Sequence, residues 1–114
     1  MASSVAGQVG AQRYVCEFPR SCYQQENCAR ERLHDGTLSK DGDVWLWDSG
    51  GSGALPLRAV SGPDGPHFAL VSEYVADSVS IFSIFADGSA RQTYHFFYND
   101  ARSITYHGTC EAAE

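Results

Sequence analysis

Four cysteines constrain this chain more than any other feature: Cys16, Cys22 and Cys28 crowd near the start, and Cys110 stands almost at the end. An even count in a short chain with a single lysine and a single methionine points to an oxidising compartment, where cysteines pair with one another. Zinc sites present close pairs such as C-x2-C with a matching distal pair, whereas the spacing here is C-x5-C-x5-C followed by one distant residue. A single domain of 114 residues buries only ~65% of the surface that its unfolded chain exposes, so cross-links add stability that a small core lacks.

The punctuation is that of an all-β protein. Asp-Gly pairs stand at 35/36, 41/42, 64/65 and 87/88, with a Gly-Gly-Ser-Gly run at 50–53. Between them, segments rich in β-branched and aromatic residues predict strands near 12–18, 31–39 (broken), 43–48, 54–60, 67–75, 78–86, 90–98 and 102–109. Seven or eight such strands predict a small antiparallel meander closing into a barrel or sandwich. The segment 22–33, with Gln24, Gln25, Glu26, Ala29 and Arg30, has the composition for one or two helical turns instead.

Asp87-Gly88 read as a two-residue hairpin turn sets Phe85 opposite Ala90, Ile81 opposite Tyr94 and Val79 opposite Phe96. With a three-residue loop at 99–101, Phe96 then faces Ile104 and Tyr94 faces Tyr106. This register makes Val79, Ile81, Phe85, Tyr94, Phe96, Ile104 and Tyr106 a core face. It leaves Ser80, Phe82, Ile84, Arg91, Thr93, His95, Phe97, Ser103, Thr105 and His107 on the other. Antiparallel pairing of the first strand with the last closes the sheet and joins Cys16 to Cys110, with Cys22 left for Cys28; the other two connectivities stay open. In the chain-entropy argument the large loop is worth ~4.7 kcal/mol and the small one ~2.4 kcal/mol.

The net charge of −6 is uneven: residues 1–34 hold four arginines against three glutamates, and the remainder four basic against eleven acidic groups. An acidic body disfavours nucleic acid and anionic membrane, and suits solubility or a basic protein partner. No run approaches the ~18 apolar residues of a membrane span. Residues 1–12 lack the basic and apolar regions of a working signal peptide; they are expected to be a disordered start before a domain over 13–114, in a form whose export signal is missing.

Chemistry is sparse. Ser80 opposite His95 resembles a nucleophile with its base, but Asp77, Asp87 and Asp100 fall in turns or on the other face and no nucleophile turn surrounds Ser80. His95 and His107 share a face without a carboxylate or cysteine to complete a metal site, and His34 and His67 show no ligand spacing. Trp45 and Trp47 share one face of a strand, Val44 and Leu46 the other, so one pair faces the core. Catalytic, metal and cofactor sites are therefore expected to be absent. Candidate binding residues are Trp45, Trp47, Phe82, Phe97, His95 and His107.

The YVCEF strand at 14–18, the terminal TYHGTCE strand at 105–111, the acidic body and the size together resemble small bacterial periplasmic β-barrel proteins of no assigned function. More loosely they resemble the periplasmic inhibitors of C-type lysozyme. Where those inhibitors carry a Ser-Gly-x-x-Tyr-like loop, this chain has Ser61-Gly62-Pro63-Asp64-Gly65, and the next aromatic residue is Phe68. The resemblance implies an exported, non-enzymatic binding or inhibitor-like protein acting on another protein, lysozyme among the partners. A second reading is a lipocalin-like carrier with Phe82, Ile84 and Phe97 lining a lumen, and a third is a weak hydrolase built on Ser80 and His95.

Overall fold

The computed structural model describes residues 12–24, 26–30, 34–50, 53–60, 68–73 and 77–113. Among these residues nine antiparallel strands follow in order: β1 (Arg13–Tyr23), β2 (Asn27–Arg30), β3 (Gly36–Asp41), β4 (Val44–Asp48), β5 (Leu55–Ala59), β6 (Phe68–Ser72), β7 (Ser78–Ile84), β8 (Ser89–Tyr98) and β9 (Asp100–Ala112). From β3 to β9 each strand pairs with the next, and β1 pairs with both β3 and β9. An eight-stranded barrel is thereby closed, which leaves no open sheet edge in its wall. β2 is the extra strand, a short hairpin on the second half of β1. It replaces the helical turns expected within 22–33, because the Cys22–Cys28 disulfide joins directly opposed strand residues. The expected disordered start, the Ser61–Gly65 loop and His67 lie outside the described residues, except that Gln12 accepts a backbone hydrogen bond from Lys40.

Closure occurs where the cysteines predicted it. Cys16 sits opposite Cys110 in the β1–β9 ladder, and the two are bonded. Aromatic rings fill the interior in two groups. Tyr14, Trp45 and Phe68 pack with centroids 5.6–6.1 Å apart, and Phe18, Trp47 and Phe82 with centroids 5.0–5.8 Å apart. Leu38, Leu57, Leu70 and Ile84 complete the buried core.

The β7–β8 hairpin differs from its expected register by one residue. Phe85 N donates to Ser89 O and Gly88 N to Phe85 O, so 86–88 form a three-residue turn with Gly88 at φ 89°. Such a turn ends in a left-handed residue and adds one position to the loop. Ile84 therefore opposes Ala90, Ile81 opposes Thr93 and Ser80 opposes Tyr94. A one-residue slip exchanges faces, so Ser80, Phe82 and Ile84 point inward while Ile81 and Phe85 are exposed. The β8–β9 turn tightens around Asn99 (φ 71°), with Tyr98 opposite Asp100. That moves the register by two residues and leaves the faces of these two strands as expected.

Candidate functional site: an aromatic-tipped arm

β1, β8 and β9 run for 11, 10 and 13 residues, against five each for β4, β5 and β6. At ~3.3 Å per residue the excess carries these strands well past the barrel rim, and the molecule measures 48 × 29 × 24 Å. The projecting part is an arm formed by β2, the second half of β1, the first half of β9, the second half of β8 and the start of β7, where residues 78–80 pair with 94–96. A bulge between Glu17 and Arg20 shifts the β1–β9 register where barrel becomes arm. Across it lies Gly108, where a Cβ would collide with the Glu17 carbonyl oxygen.

Strand alternation gives the arm two different faces. Tyr23, Tyr94, Ile104 and Tyr106 are half-buried on the side that continues the barrel interior. Arg91, Thr93, His95 and Phe97 alternate with them on the outside. The last two rows, Phe97 opposite Ala101 and Tyr98 opposite Asp100, end the β8–β9 ladder, and Phe97 N still donates to Asp77 O at 3.0 Å, just before β7. Phe97 is 58% and Tyr98 67% exposed, and as consecutive residues they face opposite ways.

The tip is braced. Arg102 donates to Asp100 Oδ1 at 2.7 Å and to the Tyr23 hydroxyl at 2.7 Å, and its guanidinium lies 5.6 Å from the Tyr98 ring centre. Gln24 N donates to Ser103 O and Ser103 N to Gln24 Oε1, tying the β1–β2 turn to β9. A groove of about 420 Å³ lies here, lined by Val79, His95, Phe97 and Arg102 among others.

Where arm meets barrel, a polar chain runs through the interior. Gln92, fully buried, donates from Nε2 to Ser80 Oγ at 3.0 Å and to the Tyr94 hydroxyl at 3.1 Å. Its Oε1 is then the acceptor for His34 Nε2 at 2.7 Å. The imidazole stacks on Tyr106 with centroids 3.7 Å apart. Burial lowers the His34 pKa against the opposing effects of Gln92 and Asp35, and burial pushes Tyr94 up to about 12. The Trp47 indole N–H is buried without a hydrogen-bond partner among the described residues. Neither Gln92 nor His34 was singled out by the sequence, although Ala90, Gln92 and Tyr94 alternate onto one face.

The six expected binding residues do not assemble. Trp45, Trp47 and Phe82 are 3%, 2% and 0% exposed, so the expectation that they form surface anchors is corrected: they are core. Phe82 and Ile84 point inward while Phe97 points outward, so the three do not line one lumen. Phe97 and His95 share the groove at the tip. His107 lies farther down the outer face, where its Nδ1 accepts from Arg91 Nε at 3.0 Å. Burial, then Arg91 and Arg20, lower its pKa. Four residues separate its row from that of His95, about 13 Å along the strands, which is too far for a shared metal ion. Among the described residues no group of three or more His, Cys, Asp or Glu could hold a metal. Ser80 and His95 lie on opposite faces of the sheet, which removes the nucleophile-and-base pair.

No family model, curated protein or solved structure matches this chain. No helix among the described residues is long and apolar enough to cross a membrane. The two disulfides fit an extracellular, oxidising compartment.

Proposed function

We propose that this is an exported, non-enzymatic binding domain of the bacterial periplasm or cell surface, which inserts the aromatic tip of its arm into a concave site on another protein in the manner of an inhibitor. One observation carries the reading: Phe97 and Tyr98, two large and strongly exposed aromatic side chains, stand on the two faces of the tip of a braced hairpin projecting from a filled barrel. Interfaces concentrate their energy in aromatic anchors seated in pockets, and bracing lowers the ordering cost of binding. The overall charge of −6 favours encounter with a basic partner and makes its rate sensitive to salt.

A basic C-type lysozyme, with an open cleft, is the first partner to assay. The domain in excess is expected to slow lysis, with Phe97→Ala and Tyr98→Ala each weakening inhibition by about fivefold or more (about 1 kcal/mol) while the fold is kept. An undisturbed lysis rate at excess domain removes lysozyme as the partner. Inhibition unaffected by both substitutions removes the arm as the inhibitory element.

A further inference from the structure

The outer face of the arm's base carries a row of basic residues one to a strand. Arg30 on β2 opposes Arg20 on β1, Arg20 opposes His107 on β9, and His107 opposes Arg91 on β8. Directly opposed residues share a face, so three of the chain's eight lysines and arginines stand in line on one surface of an acidic protein. Like charges set opposite one another across a sheet are unfavourable unless something offsets them. Among the described residues neither Arg20 nor Arg91 has a carboxylate partner.

The adjoining row supplies hydroxyls. Thr105 opposes Thr93, with their oxygens 3.1 Å apart. Together Arg20, Arg91, His107, Thr93 and Thr105, with the Cys22–Cys28 disulfide, line a concavity of about 390 Å³.

Its donors are specific. Arg91 spends Nε on His107 Nδ1, which leaves both of its terminal nitrogens available and fixes the imidazole as an Nε2–H donor. Arg20 Nη2 makes only a 3.5 Å contact to the Cys28 sulfur. In the Thr93–Thr105 pair one hydroxyl donates to the other, and the acceptor's own proton remains for a ligand. Among the described residues no carboxylate lines the concavity. Two guanidiniums flanking an imidazole, with a hydroxyl beside them, match the several acceptor oxygens spread over a tetrahedral group better than the two of a carboxylate.

We propose that the concavity bounded by Arg20, Arg91, His107, Thr93 and Thr105 is a binding site for a tetrahedral oxyanion, a phosphate or sulfate group either free or as a terminal monoester. The site is separate from the aromatic tip and does not depend on its function. Two rows of the same outer face lie between the basic row and Phe97. A protein bound at the tip can therefore be approached by an anion held at the base.

The test is a titration followed by heteronuclear NMR at fixed ionic strength, using inorganic phosphate, inorganic sulfate and methyl phosphate on the intact disulfide-bonded protein. Saturable shifts confined to His107, Thr93, Thr105 and the Arg20 and Arg91 side chains are expected. Affinity should fall about tenfold in Arg91→Gln and in Arg20→Gln, the loss of one charge-assisted contact. Both positions are exposed, and an unchanged amide spectrum elsewhere verifies the fold of each variant. Tighter binding of methyl phosphate than of inorganic phosphate assigns the site to a terminal monoester, and the reverse order to the free ion. No saturable shift with any of the three anions, or shifts of equal affinity in both variants, overturns the proposal.

Discussion

His34 lies flat on Tyr106, with ring centres 3.7 Å apart and 11° between the planes, while its Nε2 donates to the buried Gln92. Burial is the leading cause of its lowered pKa, so the folded protein takes up this proton at a lower pH than the unfolded chain, where the value is about 6.5. The unfolded state then binds more protons between the two values, and stability rises with pH across that window. Stability should therefore decline as pH falls below about 6.5 and level off, for this group, beneath the folded pKa. His107, whose pKa is also lowered, acts with the same sign. Urea unfolding at pH 7.5 and 5.5 measures the effect, and His34→Gln should flatten it. A variant with the same pH slope as the parent would show that His34 does not carry it.

The two disulfides should differ in weight. Cys16–Cys110 closes a loop spanning 94 residues and Cys22–Cys28 one spanning six, which corresponds to ~4.7 and ~2.4 kcal/mol of lost unfolded-state entropy. The Cys16→Ala/Cys110→Ala pair should thus lower stability about twice as much as Cys22→Ala/Cys28→Ala in chemical denaturation. The opposite ranking would mean that the arm, not the barrel seam, depends more on its cross-link.

Trp47 packs against Phe18 and Phe82 in the filled interior. Trp47→Ala should cost about 3–5 kcal/mol, the range for truncating a large buried aromatic. A folded variant with near-parental stability would contradict its place in the core.

Gly108 faces the β1 bulge with no room for a side chain, because a Cβ would meet the Glu17 backbone carbonyl. Gly108→Ala should cost about 1–3 kcal/mol through forced backbone displacement, read as a lower melting temperature. Exchange protection of the β1–β9 amides should fall with it. Unchanged melting would contradict the close approach of Gly108 to the Glu17 carbonyl.

Much of the barrel could be read from local chemistry. Cys16 and Cys110 specified the seam, and Asp41-Gly42 marked the β3–β4 turn that sets Trp45 and Trp47 on one face. Face assignment in β7 failed for a physical reason: Asp-Gly serves a two-residue turn and also the end of a three-residue one, and a single added position inverts the strand. The core residues Phe82 and Ile84 were thereby set on the same face as Thr93, His95 and Phe97. Gln92 stayed hidden because a buried amide is legible only with its partners, and those come from β7, from within β8 and from the segment holding His34. Phe97 was a candidate from the outset, but Tyr98 was not. The exposure of both follows from β8 and β9 outrunning their neighbours, and strand length beyond the rim is not written in alternation.

The most direct test of the arm as the binding element is site-specific photo-cross-linking in an extract of the native exported fraction. A photoreactive phenylalanine analogue is placed at position 97 or 98, or at Val60, which is 63% exposed. Val60 directly follows β5 at the barrel end away from the arm. A discrete protein adduct is expected from positions 97 and 98 and none from position 60. The same adduct from all three positions, or none from the tip, would contradict the account.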